Sequence, residues 1–206
     1  MPNFTRVGYG QVEPNQLSAQ KTGQIYASLP LNKDVQVLQN GEFMYYDYAT
    51  KQVTAEGKGE PMLVFNEVKL YEPFWRTTYK DFAMIRVGDN YVTSKLATSG
   101  FGDGAENVGA DIPAHTEYGY RMDGIAPRMF KTNIGDIFTT NMVKVGVEYA
   151  EGDTLAPAVV ENEVNGKTFK TLVLEKTAST EGMLWVVGKV YTMPDGQPGL
   201  KLQRIQ

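Results

Sequence analysis

The chain has 206 residues, no cysteine and one histidine, and its formal net charge is −4 at pH 7. Without cysteine it forms no disulfide, thiolate nucleophile, zinc ribbon or iron–sulfur cluster, and one imidazole is too few for a histidine-based metal cluster. Its 20 lysine and arginine residues are scattered along the chain. Because a phosphate backbone needs a basic track, we expect no nucleic-acid partner.

The composition favours an all-β fold. The chain has 21 glycines and 12 tyrosines, threonine and valine are frequent, and good helix formers are sparse between turn signals. Short alternating stretches between these turns predict one or two small β-barrel or β-sandwich modules. No run approaches the roughly 18 apolar residues of a membrane span, and the first residues lack a signal-peptide pattern. We therefore expect no membrane partner and no secretory route.

Residues 1–31 are predicted to form an extended N-terminal arm, because glycine and proline interrupt this segment at intervals too short for regular elements. Pro14 to Gln20 predicts a helical turn or two, with Gly23 as the stop signal. The arm has little capacity to bury its own apolar side chains. We expect these to pack on the protein's own barrel or on a neighbouring subunit, and they are Phe4, Tyr9, Leu17, Ile25 and Tyr26.

Residues 32–127 are predicted to form a first β module. Asn40-Gly41 predicts a tight hairpin, and the strand after it carries aromatic residues on both faces, so that it is covered on both sides or lies at an interface. Further strands are predicted at Met62–Tyr71, Lys80–Val87 and Tyr91–Leu96, the last two joined by a hairpin at Gly88-Asp89-Asn90.

The span 98–127 contains six glycines and predicts a long loop of functional or mobile character. Three acidic residues within it offer oxygen ligands for calcium, but their spacing does not match a helix-loop-helix calcium site. We therefore predict no metal at these residues, Asp103, Glu106 and Asp111.

Residues 128–206 are predicted to form a second β module, in which one pattern occurs twice. Gly135-Asp136 and Gly152-Asp153 are each followed by β-branched or apolar residues that alternate with small ones, which predicts a turn that leads into a strand. The predicted strands are Met129–Asn141, Lys144–Tyr149, Thr154–Val160, Thr168–Lys176, Leu184–Met193 and Gly199–Ile205. Hairpin turns are predicted at Asn165-Gly166 and Pro194-Asp195-Gly196.

The motifs that normally carry chemistry are incomplete in this chain. His115 has no second histidine and is expected to be a solvent-exposed loop residue. Residues 165–168 imitate the end of a phosphate-binding loop, but Glu161 stands where that motif needs glycine. Glu148 and Glu151 are interpreted as a solvated edge rather than a pair for sugar hydrolysis. We therefore predict no catalytic residue, no metal, no cofactor and no enzymatic activity.

The densest aromatic region lies between residues 45 and 79. It suggests either carbohydrate stacking or a core or subunit contact, and we favour the second because aromatic side chains are enriched in cores and interfaces. Tyr45, Tyr46 and Trp75 are accordingly predicted to be interface residues, together with the apolar residues of the arm.

Three stretches carry a resemblance to a known family. They are the opening, with Tyr9-Gly10-Gln11-Val12-Glu13-Pro14-Asn15 and Ser18 to Tyr26, the Leu38 to Tyr48 segment, and the closing Trp185 to Ile205. The general character of these stretches and their order along the chain resemble those of small virion proteins of tailed bacteriophages, of the capsid decoration or head auxiliary kind. The long loop at 98–127 has no counterpart in that pattern.

The resemblance implies β-rich modules seated on a capsid shell, an arm that reaches a neighbour, and no enzymatic activity. It also implies a location on the capsid exterior of a virion assembled in the host cytoplasm, with the major capsid protein and neighbouring copies of this chain as partners, in a homo-oligomer or bound to the lattice. The alternative hypothesis is a carbohydrate-binding β-module that rests on Trp75 and the tyrosines.

Overall fold

The computed structural model describes residues 10–26, 30–66, 83–87, 90–94, 119–122, 127–164, 167–193 and 197–206. As the composition predicts, the fold is all-β: the described residues form fifteen strands and one short helix. An antiparallel sheet of eleven strands curls into a half-barrel, and a second sheet has four strands. Within the described ranges, no helix is both long and apolar enough to cross a membrane.

The elements of the first half, in chain order, are β1 Val12–Gln16, α1 Ser18–Thr22, β2 Ile25–Tyr26, β3 Val37–Gln39, β4 Phe43–Asp47, β5 Gln52–Thr54, β6 Met62–Val64, β7 Ala83–Val87, β8 Asn90–Ser94 and β9 Gly119–Met122. Those of the second half are β10 Met129–Phe130, β11 Ile137–Thr140, β12 Thr154–Val164, β13 Lys167–Lys176, β14 Trp185–Thr192 and β15 Pro198–Arg204.

The large sheet has the order β1-β11-β15-β14-β12-β13-β4-β6-β10-β2, with β5 paired to β4, and the small sheet has the order β3-β7-β8-β9. Both edge strands of the main path, β1 and β2, come from the predicted arm. Between them lie only residues 17–24, which span at most about 20 Å because part of this stretch is helical. The large sheet therefore curls until its two ends are within reach of one short connection.

Two side chains of this connection are buried in the protein. Leu17 is 2% exposed and Ala19 is fully buried, and both belong to the main hydrophobic core. The buried carboxylate of Asp136 binds the first residue of the helix. Asp136 accepts hydrogen bonds from the backbone N–H of Ser18 at 3.0 Å and from its hydroxyl at 3.1 Å. The arm is thus a structural part of the sheet from Val12 to Tyr26: β1 and β2 are extended, and α1 is a short helix within the arm.

Two hydrophobic clusters lie on opposite faces of β4, β6 and β10. Phe43, Leu63 and Phe130 point into the main core, whereas their chain neighbours Met44 and Met129 point into a smaller cluster. Alternate side chains of a strand face opposite ways, so these three strands are covered on both sides. The prediction that the aromatic strand after Gly41 is covered on both faces is confirmed.

The main core is centred on three aromatic rings. Phe138 and Trp185 meet edge to face, with centroids 4.8 Å apart, and Phe43 lies 6.3 Å from Phe138 and 6.1 Å from Trp185. Because edge-to-face packing adds about 1 kcal/mol to the energy of burial, this group links β4 firmly to β11 and β14.

The two Gly-Asp turns have the same hydrogen bonds. In the first, Asn133 N–H donates to the Asp136 carboxylate at 2.9 Å and Asp136 N–H donates to Asn133 C=O at 3.0 Å. In the second, Ala150 and Asp153 repeat the exchange at 2.8 and 3.2 Å. Both glycines have a positive φ, 92° at Gly135 and 90° at Gly152, which residues with a Cβ rarely adopt. The predicted turns are confirmed.

Each turn also binds a strand of the β14–β15 hairpin. Gly135 N–H donates to Arg204 C=O and Arg204 N–H to Asp136 C=O, while Gly152 and Asp153 make the same pair of bonds with Val187. Since Trp185 pairs with Arg204, and Val187 with Leu202, the registers are those of a local twofold axis between β14 and β15. The unit β11-β15-β14-β12 is therefore an internally symmetric group of four strands in the large sheet.

The tight hairpin predicted at Asn40-Gly41 does not form. The chain does turn there, but β3 pairs with β7 and β4 pairs with β5, β6 and β13, so no hairpin forms. Asn40 instead exchanges two hydrogen bonds with the backbone of Asn66, at 2.9 and 2.7 Å. This long-range pairing sends β3 and β4 into different sheets.

Three other predictions are corrected by local structure. The helix begins at Ser18 and Pro14 lies in β1, although Gly23 ends the helix in the left-handed conformation as predicted. The predicted strand 129–141 is divided into β10 and β11 by the first Gly-Asp turn. Residues 144–149 form no strand, because the chain turns at 145–146 and the Tyr149 hydroxyl bonds back to Lys144 C=O at 2.9 Å.

The remaining hairpins are confirmed by the pairs that flank them. These pairs are Val87 with Asn90, Val164 with Lys167, and Thr192 with Pro198. Within the predicted loop 98–127, the four residues 119–122 form β9 and pair with β8, so this part of the loop prediction is wrong. The rest of that span up to residue 126, and residues 67–71 of the strand predicted from Met62, lie outside the described residues.

Strand pairing crosses both predicted domain boundaries. β1 from segment 1–31 pairs with β11 from segment 128–206, and β4 from segment 32–127 pairs with β13. The three predicted segments thus contribute strands to one sheet.

We predict that Asp136→Ala lowers the free energy of unfolding by about 3 kcal/mol, because it leaves the Ser18 and Asn133 N–H groups without their acceptor in a part-buried turn. Asp153→Ala is the control: it removes the aspartate of the same turn type without an arm contact, although it also breaks a surface ion pair with Lys176, and we expect a loss of about 1 kcal/mol. Urea denaturation measures both values, and limited proteolysis of the arm should accelerate only in Asp136→Ala. Equal losses in the two variants would contradict the role of Asp136 in fixing the arm to the sheet.

Candidate functional site

The described surface carries one aromatic projection, the hairpin of β4 and β5. Tyr45 pairs with Thr54, Tyr46 with Val53 and Asp47 with Gln52, which leaves residues 48–51 as the loop. Tyr48 in this loop is 83% exposed, the highest fraction among the exposed large apolar side chains of the described ranges. We call Tyr46, Tyr48 and residues 49–51 the tyrosine tip.

The backbone of the tyrosine tip is fixed by Asp47. Its carboxylate accepts a hydrogen bond from Ala49 N–H at 2.9 Å and another from the Thr50 hydroxyl at 2.8 Å. These two bonds hold the pKa of the Asp47 carboxyl below its usual range. Lys51 completes the reversal with a φ of 57°. A side-chain oxygen that binds N–H groups further along the chain is the normal way in which aspartate stabilises a turn.

Tyr46 supports the exposed ring. The Tyr46 and Tyr48 rings meet edge to face with centroids 4.9 Å apart and planes 84° apart. Tyr46 is half-buried and packs on the smaller cluster beneath it. The exposed aromatic side chain is therefore ordered before any partner arrives, which lowers the entropy cost of binding.

Tyr45 points to the opposite side of the strand, towards an open cleft of about 430 Å³. Volumes of 300–1,000 Å³ are typical of pockets that hold small ligands. The apolar wall contains Tyr45, Pro61, Pro157 and Met183, and the polar wall contains Glu60, Glu181 and Arg204. Burial raises the pKa of Tyr45, so its phenol stays protonated and is a neutral hydrogen-bonding group in the cleft.

Arg204 is the fixed centre of the polar wall. Its guanidinium forms an ion pair with Glu60 and donates to the carbonyl and hydroxyl oxygens of Thr132, and its Nε donates to Gln206 C=O at 2.8 Å. Its side chain is only 10% exposed. Because these bonds engage Nε and Nη1 and pair Arg204 with Glu60, Arg204 holds the wall in place. Glu181 and the Tyr45 phenol are further polar groups that line the cleft.

The predicted interface residues are divided by the fold. Leu17 belongs to the protein's own core, one of the two surfaces expected to cover the apolar side chains of the arm, and Ile25 is half-buried against the same core. Tyr26 is 44% exposed on the edge strand β2. Tyr45 and Tyr46 occupy opposite faces of β4, as described. Phe4, Tyr9 and Trp75 lie outside the described residues.

Two residues of this region were missing from the predicted set. Tyr48 has a signal in the sequence, because Asp47-Tyr48-Ala49-Thr50 has the spacing of an aspartate-stabilised turn. Arg204 has none, since its partners Thr132 and Glu60 are distant in the chain. Glu148 and Glu151 are exposed, as the solvated-edge interpretation predicts.

Among the described residues, no group of three or more histidine, cysteine, aspartate or glutamate side chains is arranged to hold a metal ion. His115 and the acidic residues at 103, 106 and 111 lie outside that part of the chain. No model of a protein family matches the sequence, and searches of curated proteins and of solved structures find no similar protein.

We predict that the amide proton of Ala49 reports the ionisation of Asp47, with a midpoint below the usual aspartate pKa of about 3.9. The ionised carboxylate keeps the tip ordered above this midpoint. This order is lost as the pH falls through the lowered pKa of Asp47. An NMR titration of Ala49 between pH 6 and 2 measures the midpoint. Asp47→Asn keeps an acceptor oxygen and should remove the transition; a midpoint above 3.9 contradicts the assignment.

Proposed function

We propose that this protein is a structural virion protein of a tailed bacteriophage, which binds the outer surface of the capsid through the tyrosine tip. The observation that carries the proposal is Tyr48, 83% exposed on a turn fixed by Asp47 and braced by Tyr46. Tyrosine is enriched among the residues that dominate binding energy at protein interfaces. The resemblance of the opening segment, the Leu38 to Tyr48 segment and the closing segment to capsid decoration proteins suggests the partner.

The proposed partners are the major capsid protein and neighbouring copies of this chain on the lattice. A capsid presents the same site many times, so neighbouring copies in contact with one another convert weak individual contacts into firm attachment. Tyr26 on the edge strand β2 is 44% exposed and is available for a contact between copies. The proposed location is the capsid exterior, after assembly in the host cytoplasm.

The test is co-sedimentation with empty shells of the phage that encodes the protein. Tyr48→Ala should weaken binding at least tenfold, which corresponds to about 1.4 kcal/mol, without a change in melting temperature. Ile134→Ala is the control, because Ile134 is a comparably exposed apolar residue, 71% exposed, in a different turn. Full occupancy by Tyr48→Ala, or an equal loss in both variants, would contradict the proposal.

A deletion that tests the arm must leave the strands and the helix of the fold in place. Removal of residues 1–31 also removes β1, α1 and β2, together with the Ser18–Asp136 hydrogen bonds. A loss of shell binding after that deletion would report unfolding of the sheet edges. Deletion of residues 1–9 leaves all of these elements intact and is the variant that tests the arm.

A second candidate function is carbohydrate binding, which the cleft beside Tyr45 favours. Carboxylates accept hydrogen bonds from sugar hydroxyls, Glu60 and Glu181 supply two, and the apolar wall offers a surface to a sugar ring. A glycan array should then show selective binding that is lost in Tyr45→Ala and kept in Tyr48→Ala. Because Tyr45 and Tyr46 lie on opposite sides of β4 and Tyr48 packs on Tyr46, this pair of variants separates the two functions. An array without selective binding excludes the second one.

A further inference from the structure

The turn formed by residues 39–42 contains a fully buried acid at the junction of the two sheets. It connects β3 of the small sheet with β4 of the large sheet, and Glu42 is 0% exposed. Gln39 Nε2 donates to Glu42 Oε1 at 2.9 Å, while Oε2 has no hydrogen-bond partner in the described part of the chain. A buried carboxylate with an unpartnered oxygen is costly, so the neutral acid is the form that fits this site.

Three other parts of the chain meet at this turn. The end of β6 is bound by Gly41 N–H to Val64 C=O at 2.9 Å and by Val64 N–H to Glu42 C=O at 2.8 Å. The arm and the end of β11 pack so closely that a Cβ at Gly10 would collide with Asn40, and a Cβ at Gly41 with Thr140. The turn is thus the point where the arm, the small sheet and the large sheet are fastened together.

The described contacts of the turn are made by uncharged groups. They involve Gly10, Val64, Asn66, Thr140 and Met142, and Arg128 donates its backbone N–H to Asn66 at 2.8 Å. Burial raises the pKa of Glu42 to about 8, against the opposing effect of the hydrogen bonds from Gln39. Geometry and electrostatics therefore agree that an ionised Glu42 has no compensating cation among these contacts.

We propose that Glu42 is a proton-controlled latch, which fastens the arm and the small sheet to the large sheet while it is neutral and releases this junction when it ionises. The folded site binds a proton that the open, solvated site has already lost, so the latch is closed at low pH. It opens as the pH rises from about 4.5 towards 8 and changes no further above that range. The proposal is independent of the capsid-binding function.

Hydrogen exchange of the full chain, corrected for the intrinsic exchange rate, tests the latch between pH 6 and 9. The amides of Gly41 and Val64 report directly on the turn. Their opening constant should rise about tenfold per pH unit up to pH 7.5 and then level off. Amides of the β14–β15 hairpin, which does not contact the turn, should stay constant. A parallel rise in all amides would mean global unfolding and would overturn the proposal.

Glu42→Gln keeps the shape of the side chain and an acceptor for Gln39 but cannot ionise, so its opening constant should not depend on pH. Glu148→Gln removes the same charge from an exposed position and should behave as the wild type. The ¹³C shift of the Glu42 carboxyl in the wild type decides the matter without any variant. A midpoint near 8 supports the latch, and a midpoint near 4.5, or a Glu42→Gln variant with the wild-type pH dependence, refutes it.

Discussion

Both edges of the main path through the large sheet are held by one fifteen-residue segment, Val12–Tyr26, and the Asp136 carboxylate fixes that segment through Ser18. An open sheet exposes unpaired N–H and C=O groups at its edges, and these invite aggregation. Here the two edge strands are joined through a short helix whose apolar side lies on the core. The curl of the sheet and the burial of Leu17 and Ala19 therefore depend on each other.

The two-sided strand β4 explains why one hairpin offers two different surfaces. Phe43 belongs to the three-ring group of the main core, and Met44 belongs to the smaller cluster. The same alternation continues outwards, so that Tyr45 faces the cleft and Tyr46 supports Tyr48. A strand with only one covered face would leave one of these tyrosines without a packed base. The second cluster is thus what makes the tyrosine tip rigid.

The sequence predicts the elements that depend on neighbouring residues. The Gly-Asp turns follow from a residue that tolerates positive φ beside one that binds its own backbone, and the hairpin at 165–166 follows from Asn-Gly between alternating strands. Asn40-Gly41 has the same local signal but a different outcome, because Asn66, 26 residues later, binds Asn40. The place where the arm packs could not be predicted either, since the acceptor of Ser18 lies 118 residues away. The cleft could not be predicted for the same reason, because Arg204 meets Thr132 and Glu60 only after folding.

The buried polar groups are distributed unevenly over this scaffold. Among the described residues, three buried side-chain atoms have no hydrogen-bond partner: Glu42 Oε2 in the junction turn, Asn66 Nδ2 beside it, and Trp185 Nε1 in β14. Glu42 is the ionisable residue among these three, so a change of pH acts at the junction. The two Gly-Asp turns, in contrast, are tied to β14 and β15 by reciprocal backbone bonds. The tyrosine tip lies at the other end of β4, beyond the aromatic contacts of Phe43 and the pairs with β5. Release of the proposed latch therefore changes the attachment of the arm and the small sheet, while the surface at Tyr48 keeps its shape.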